Sequence, residues 1–459
     1  MSASAIRSVC VIGDGIVGLS AAAAFARALP QIVVAIVPAE PDAAAVAEVQ
    51  CATWPSIHRF HAVIGLDERE LIRAGIATHL LGTRFGAWQA IDQTWVHGFG
   101  EHGLKAGDVP FHTLWHRAFQ AGRAEPFWRY SAAALLGAAG KFVHPSPDPS
   151  SPLGGMLYAL RIDPLRYRGR LEALTAALPR HSPFTSVERD GNGTVTAIAT
   201  ADGKRVSADL YLDCSGTQAL LRCPNDSVSE PWAAWLPGRS MTVRDVPGEA
   251  ANPLDRAVTI AHGWRWESPL ADRTRVVELS DAPGGIPVQF GYHNPWIGNV
   301  LAIGDAATAI DPLFGTALHL AQNAILLALD LLPGRDFLQA ELSEYNRRSR
   351  ATATRMRDFH ALHHLRADIA AVPEGLARTL DQFERRGRLP PFEGEPFEAD
   401  AWRAALIGLG IRPNAIDPLT ASIDPARAEH AMDALAARLA EATARVPPYP
   451  QLLAQLRAG

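Results

Sequence analysis

Short apolar runs that alternate with helix-forming stretches predict a mixed α/β protein. The β-branched run at residues 9–12 predicts a buried strand, the Ala-rich residues 19–29 predict a helix, and the apolar residues 32–37 predict a second strand. Residues 183–213 and 256–303 alternate turn residues with short apolar segments, which is typical of further strands. The N-terminal part therefore predicts a strand–loop–helix–strand unit followed by β-rich segments.

The pattern becomes helical beyond Asp311. Residues 315–332, 337–365 and 425–445 predict long helices, and residues 164–178 predict a shorter one after a strand at 156–162. A Pro/Ser/Gly-rich loop at residues 146–155 indicates a boundary between substructures.

A glycine motif joins the first predicted strand to the first predicted helix. Gly13 and Gly15 allow a tight turn and a close approach to a pyrophosphate, and Gly18 allows close packing of helix on strand. The helix N-terminus attracts phosphate charge. In this context the GxGxxG spacing predicts a dinucleotide site. Glu40, two residues beyond Pro38 at the end of the second strand, is either a partner for a ribose hydroxyl or a solvated acid.

Composition describes an ordinary globular protein. The 459 residues are 48% hydrophobic and 20% charged, with a net charge of −5, which does not favour a nucleic-acid partner. Four cysteines without metal-binding spacing predict neither a disulfide framework nor a metal site. No secretory leader or apolar stretch of membrane-spanning length is evident, so no membrane association and a cytoplasmic location are expected.

Several motifs resemble, in order, those of the flavin-dependent tryptophan halogenases and their halogenase-like monooxygenase relatives. The resemblance covers about residues 7–365. Besides the glycine motif it rests on residues 52–57 (ATWPSI), 209–216 (DLYLDCSG), 263–269 (GWRWESP), 296–300 (WIGNV), 301–307 (LAIGDAA), 311–313 (DPL) and 357–363 (RDFHALH).

The resemblance implies an α/β fold with a Rossmann-type FAD-binding domain of the para-hydroxybenzoate hydroxylase-like class, an inserted β-rich substrate domain and a helical C-terminal region. We expect the FAD-binding domain at residues 1–90, 156–225 and 296–335, a substrate-domain insertion at 91–155, the β-rich substrate domain at 226–295, and the helical region at 336–459.

The resemblance also implies FAD-binding residues. Asp305 is expected to meet the ribityl chain of FAD; its alternative role is to cap the helix ahead of Ala306. Gly315, Thr316 and Ala317 are expected to present N–H groups to the flavin as a helix begins. Reduced flavin would come from NAD(P)H directly or from a partner flavin reductase.

Three positions depart from the halogenase pattern. Arg84 stands where the family has a lysine beside the substrate, Phe314 where tryptophan halogenases have a glutamate, and Ser268 where the signature has an isoleucine. A guanidinium stays protonated and is a poor nucleophile, so Arg84 is expected to act as a hydrogen-bond donor at the catalytic site or in a structural ion pair. Together these departures favour oxygen transfer over halide chemistry.

Other candidates carry two interpretations each. His58 and His61 are candidate general bases. Trp264, Trp266 and Phe314 are expected to line a substrate tunnel, although the two tryptophans alternate on a strand and would also pack a sheet. His360, His363 and His364 share a helix face that either binds a metal or is simply polar, and the polar face is the prediction.

The resemblance, together with its departures, implies an FAD-dependent monooxygenase that uses a flavin C4a-hydroperoxide to hydroxylate an electron-rich ring. The resemblance to maturation flavoproteins of tryptophylquinone enzymes implies a tryptophan in a peptide or small protein as substrate, during quinone cofactor biogenesis. The alternatives are a flavin-dependent halogenase of a phenol, pyrrole or indole, and a flavin-bound assembly factor without turnover.

Overall fold

A computed structural model describes residues 5–88, 94–148, 150–222, 229–248, 252–365 and 372–458. In the first half of the chain the strands are β1 (Ser8–Ile12), β2 (Val33–Val37), β3 (Ala77–Leu80), β4 (Gly82–Gly86), β5 (Trp95–Gly98), β6 (Ala159–Ile162), β7 (Phe184–Arg189), β8 (Val195–Thr200), β9 (Arg205–Val206) and β10 (Leu210–Asp213). In the second half they are β11 (Ser229–Pro231), β12 (Ser240–Pro247), β13 (Leu254–Ile260), β14 (Gly263–Pro269), β15 (Arg273–Ser280), β16 (Ile286–Pro287), β17 (Gly291–His293), β18 (Trp296–Ile297), β19 (Val300–Ala302) and β20 (Thr308–Ala309).

The three longest of the described helices lie in the C-terminal half of the chain. The described helices are α1 (Ile16–Ala28), α2 (Val46–Val49), α3 (Ile57–Ile64), α4 (Glu68–Arg73), α5 (Phe111–Gln120), α6 (Ala132–Ala138), α7 (Pro164–Leu174), α8 (Thr316–Asp330), α9 (Gln339–His363), α10 (Glu374–Arg386), α11 (Ala399–Gly408), α12 (Pro425–Arg445) and α13 (Tyr449–Ala458). The three longest are α8, α9 and α12.

The chain divides into two compact units. Unit 1 contains Met1–Leu71, Ile162–Val243 and Leu279–Arg357, and unit 2 contains Ile72–Arg161, Arg244–Glu278 and Asp358–Gly459. These limits differ from the predicted ones. The first segment of unit 1 ends at Leu71 instead of residue 90, and the predicted helical region 336–459 is divided, with its residues up to Arg357 in unit 1 and Asp358–Gly459 in unit 2. Long-range contacts, which no local pattern encodes, decide this grouping.

A parallel sheet forms the centre of unit 1. Its order is β18-β19-β10-β1-β2, and only β18 runs antiparallel to its neighbour. The strands β1, β2 and β10 are largely buried and apolar, as expected for a sheet covered on both faces. The predicted strands at 9–12 and 32–37 and the predicted helix at 19–29 are confirmed with small shifts at their ends.

Unit 2 contains a second sheet and a set of helices. Strand β4 pairs parallel with β13 and antiparallel with β5, and β13 pairs antiparallel with β14. The residues of β14 alternate between buried and half-buried, which is the period of a strand with one covered face. The predicted helix at 425–445 is confirmed as α12, which Asp424 caps by accepting a hydrogen bond from the N–H of Arg427.

One helical segment of the described chain, Leu313–Asp330, is long and apolar enough by length and composition to cross a membrane. The expectation that no apolar stretch reaches this length is therefore wrong. Because 67% of the segment is buried inside the protein, its apolar residues are those of a core helix.

Candidate functional site

The two distant glycine motifs meet at one edge of the unit 1 sheet. Ile12 pairs in register with Val37 and with Asp213, and Asp213 pairs with Ala302. The carboxyl ends of four strands therefore lie at one edge, where ligands bind in open parallel sheets. The loop that begins at Gly13 and the short 3₁₀ helix Gly304–Ala306 both leave the sheet there.

Gly13 and Gly18 are positions that exclude a side chain. Gly13 has a φ of +125°, and a Cβ added there would lie 2.5 Å from the carbonyl oxygen of Cys214. A Cβ at Gly18 would lie 2.2 Å from the carbonyl oxygen of Gly13, because α1 packs directly on the glycine turn. The predicted roles in tight turning and close packing are visible in this geometry.

The first turn of α1 carries an anion. The carboxylate of Glu48 accepts hydrogen bonds from the backbone N–H groups of Ile16, at 2.5 Å, and Val17, at 3.0 Å. A Cβ at Gly15 would lie 2.6 Å from the same carboxylate, which is the far end of a flexible side chain. Burial raises the pKa of Glu48, against the lowering effect of the two N–H groups. The helix N-terminus is thus an anion site in which a side-chain carboxylate stands in for a phosphate.

Positive charge lies beside this loop. Arg168 forms a bidentate pair with Glu40, with nitrogen–oxygen distances of 2.9 and 3.0 Å, and lies 3.5 Å from Asp14 of the glycine motif. Arg180 lies 3.6 Å from the same Asp14 carboxylate. The Arg168 guanidinium lowers the pKa of Glu40, whose side chain is 72% exposed. In this arrangement Glu40 is a surface ion-pair partner, and its contact with a ribose stays a prediction.

Asp305 is buried and caps α2, whereas the alternative role predicted from the sequence is a cap on the helix that begins ahead of Ala306. Its two carboxylate oxygens accept hydrogen bonds from the N–H groups of Val46 and Ala47, both at 3.1 Å, at the start of α2. Burial raises the pKa of Asp305 to about 7. The alternative of a cap ahead of Ala306 is wrong, while the contact with the ribityl chain stays a prediction.

Residues 52–57 and 311–317 pack against each other in unit 1. A Cβ at Gly315, whose φ is +71°, would lie 2.0 Å from the carbonyl oxygen of Ala52. The rings of Trp54 and Phe314 meet edge to face with centroids 6.2 Å apart. Phe314 has a φ of +60°, a strained conformation for a side-chain-bearing residue. The expected start of a helix at this point is confirmed, because α8 begins at Thr316, followed by Ala317.

The two candidate bases have different surroundings. The Nδ1 of His58 lies 3.3 Å from a carboxylate oxygen of Glu68 near the surface. His61 is buried, its Nε2 lies 2.9 Å from the hydroxyl oxygen of Tyr167, and burial lowers its pKa to about 3. A histidine with so low a pKa is a weak base at neutral pH, so its surroundings favour a structural role for His61.

In unit 2, Arg84 lies on β4 and is half-buried. Its Nη2 donates a hydrogen bond of 3.3 Å to the carbonyl oxygen of Ala138, the last residue of α6. A cation at a helix C-terminus is favourable, so this contact is structural. A further role as a donor to a substrate stays a prediction.

Trp264 and Trp266 are alternate residues of β14 and both are buried. The Nε1 of Trp266 donates a hydrogen bond of 2.8 Å to Asp255, and the Oγ of Ser268 donates one of 2.8 Å to the same oxygen. Asp255 forms a fully buried ion pair of 2.7 Å with Arg161. The serine that departs from the halogenase signature therefore completes a hydrogen-bond network that fixes the indole of Trp266.

Two histidines near the C-terminus of α9 and a third directly after it do not form a polar surface. His360, His363 and His364 are buried in unit 2. His363 stacks on Phe85, and the ring of His364 lies 6.4 Å from that of Trp264. The prediction of a polar helix face is therefore wrong, because all three side chains are buried and aromatic rings pack against His363 and His364.

The residues of unit 1 fit a dinucleotide. The N–H groups of the first turn of α1 already bind a carboxylate, and the glycine turn leaves no room for a side chain. Sequence reasoning missed Glu48 and Arg168. Neither lies at a motif spacing, and they come to this site because α2, which carries Glu48, and α7, which carries Arg168, both pack against α1.

Comparison with known proteins gives a consistent result. The sequence pattern of the family described as tryptophan halogenase matches residues 8–277 and 276–425. The solved structure of BrvH, a flavin-dependent halogenase from Brevundimonas sp. BAL3, is 30% identical, covers 98% of this chain and 99% of its own, and superposes with a TM-score of 0.91.

Two further relatives agree. Xcc4156, a flavin-dependent halogenase from Xanthomonas campestris, is 27% identical with a TM-score of 0.89, and the match covers 98% of each chain. The tryptophan 6-halogenase SttH from Streptomyces toxytricini is 23% identical over 93% of this chain and 94% of its own length. The match to the family pattern spans most of the chain and agrees with the fold, so the protein belongs to the tryptophan halogenase family.

Proposed function

We propose that this protein is a flavin-dependent halogenase that binds FAD and acts on a small electron-rich aromatic ring of the indole, phenol or pyrrole class. The observation that carries the proposal is the anion site on the first turn of α1, built on the glycine motif in a chain of this family. A halogenase is the alternative to the monooxygenase predicted from the sequence, and the named relatives favour halogenation over ring hydroxylation.

The residues of unit 1 would hold the cofactor. The N–H groups of Ile16 and Val17 would bind the FAD pyrophosphate once the Glu48 carboxylate leaves them. Arg168 and Arg180 add positive charge beside the loop. When bound, reduced FAD would supply the electrons that activate dioxygen. A partner flavin reductase is the proposed source of reduced flavin.

Unit 1 is further proposed to be of the para-hydroxybenzoate hydroxylase-like class, with unit 2 as its substrate-binding part. The two returns of the chain to the unit 1 sheet, at β10 and at β19, are consistent with this class. The comparisons offer no support for a peptide substrate or for a role in tryptophylquinone maturation, so neither is proposed.

Oxygen transfer to the ring is the second candidate, and Arg84 favours it. Arg84 occupies the position of the family's lysine, and its guanidinium is engaged by the carbonyl oxygen of Ala138. A permanently charged guanidinium does not form a chloramine readily. This candidate keeps the same cofactor and differs only in the atom delivered to the ring.

One assay separates the two candidates and the flavin-bound assembly factor. The protein is incubated with FAD, NADH, a flavin reductase, oxygen and either chloride or bromide, over a panel of indoles, phenols and pyrroles. Halogenation gives products with the isotope pattern of chlorine or bromine, whereas oxygen transfer gives products that carry ¹⁸O from labelled dioxygen. The absence of either product would favour the assembly factor.

Two variants of Arg84 refine the result. Arg84→Lys restores the family's residue and is expected to increase halogenated product, because a lysine amine can deprotonate and react with hypohalous acid. Arg84→Ala removes the cation and is the control. Halogenation that is stronger in Arg84→Ala than in Arg84→Lys would contradict the role of this position.

A further inference from the structure

Unit 2 contains a cavity of about 260 Å³ that is walled largely by aromatic rings. Five aromatic residues line it: Trp95, Trp115, Phe119, Phe127 and Trp128. The ring of Trp115 lies 4.9 Å from that of Phe119 and 5.2 Å from that of Phe127. Flat apolar walls of this kind favour a planar aromatic guest, and the volume is near the lower end of ligand pockets, roughly 300 Å³.

The absence of a side chain at Gly408 of α11 leaves room for the Trp95 indole in the cavity wall. A Cβ added at Gly408 would lie 2.3 Å from Cε3 of Trp95, so the indole lies directly against the helix backbone. The Nε1 of Trp115 already donates to the carbonyl oxygen of Glu125 at 2.8 Å. These contacts hold the two indoles in fixed positions around the cavity.

His102 is a buried polar side chain in the cavity wall. It is 2% exposed and stacks on Phe127, with ring centroids 5.0 Å apart and planes 6° from parallel. One ring nitrogen faces the backbone carbonyl of Gly100, and the other has no hydrogen-bond partner among the described residues. Burial lowers the pKa of His102, so its neutral ring offers one donor and one acceptor. A hydrogen bond from a ligand to the other nitrogen would relieve the cost of leaving it buried and unpaired.

Arg412 is the cationic residue in the described lining of the cavity. Its guanidinium carbon lies 4.5 Å from the centroid of Phe119, and its buried Nε lacks a hydrogen-bond partner among the described residues. The cavity lining contains no acidic residue within the described chain. The neighbouring Asp400 accepts the backbone N–H of His102 and pairs with Arg403. A carboxylate would therefore find a partner in the cavity, and an ammonium group would not.

We propose that this cavity is a binding site for a planar aromatic carboxylate that carries no ammonium group, with Arg412 binding the carboxylate and His102 binding a ring N–H or hydroxyl. The site goes beyond the proposed function, since it concerns ligand recognition by unit 2 and needs no flavin. The cavity is expected to bind an aromatic acid more tightly than an aromatic amino acid, because its described lining has a cation for the carboxylate and no acidic residue for the ammonium group.

Calorimetry on the full-length, flavin-free protein tests the site with three probes: indole-3-acetate, indole and L-tryptophan. Indole-3-acetate is expected to bind about tenfold or more tightly than the other two, because only it combines a carboxylate with the absence of an ammonium group. Equal binding of indole and indole-3-acetate, or equally tight binding of L-tryptophan, would overturn the proposal. A lack of halogenase activity would leave this result unaffected.

Substitutions in the cavity lining then test which side chains bind the carboxylate and the ring of the ligand. Arg412→Gln is expected to remove the advantage of indole-3-acetate over indole, whereas Arg386→Gln, a control at an exposed arginine of α10, is expected to keep it. His102→Phe retains a ring to stack on Phe127 and is expected to weaken both indole ligands. Trp128→Ala changes a half-buried wall residue, so it tests the site even if the buried variants fail to fold. Unchanged affinity in Trp128→Ala and Arg412→Gln would place the ligand elsewhere.

Discussion

The carboxylate of Glu48 accepts a hydrogen bond of 2.5 Å from the backbone N–H of Ile16, the first residue of α1. This N–H and that of Val17 are the donors that a dinucleotide pyrophosphate requires at such a loop. The protein's own carboxylate and the proposed cofactor therefore use the same donors.

Replacing Glu48 should strengthen FAD binding. In Glu48→Gln the competing negative charge is absent, so we expect the dissociation constant of FAD to fall by about tenfold, the scale of a charged hydrogen bond. Flavin fluorescence quenching measures the affinity. Glu70→Gln is the control, because it removes an exposed carboxylate on the same unit that pairs with Arg170. A weaker affinity in Glu48→Gln would mean that Glu48 holds the flavin instead of competing with it.

Gly15→Val should abolish FAD binding while the protein still folds. Gly15 has an ordinary extended backbone, and the atoms that a Cβ would meet belong to the Glu48 carboxylate, at the far end of a flexible side chain. The added side chain would fill the approach to the anion site without forcing the backbone. Gly191→Val is the matched control, since a Cβ there meets no atom within 4 Å. Full FAD stoichiometry in Gly15→Val would refute the assignment of the loop.

Asp305 should make apoprotein stability depend on pH. Burial raises its pKa from 3.8 to about 7 in the folded protein, so the folded state binds the proton more tightly than the unfolded state. This contribution to stability is fully present below about pH 4 and is lost as pH rises through 7. The melting temperature of the wild type minus that of Asp305→Asn should therefore be lower at pH 8 than at pH 4. A difference that does not change with pH would contradict the raised pKa.

His61→Asn should cost stability and leave the pH profile of catalysis unchanged. The variant breaks the buried hydrogen bond to Tyr167, at a cost of about 1–3 kcal/mol measured by urea unfolding. Tyr167→Phe removes the same bond from the other side and should cost a similar amount. Loss of the acidic limb of the pH–rate profile in His61→Asn, with the fold intact, would restore His61 as the catalytic base.

The local features of this protein were predictable from short stretches of sequence. The strand before Gly13, the helix after it, and α12 between Asp424 and Arg445 follow from apolar periodicity, turn residues and an N-cap. These features depend on residues within a few positions of each other. For the same reason the glycine motif alone indicated a nucleotide site.

The chemistry around that motif was decided by tertiary structure. Glu48 reaches Ile16 across 32 positions, and Asp305 reaches Val46 across 259, because the order of strands in the sheet brings their loops to one edge. The histidines at the end of α9 looked like a polar helix face, yet aromatic residues from distant strands bury them. Burial and the direction of a pKa depend on which elements pack together, and that information is spread over the whole chain instead of any one window.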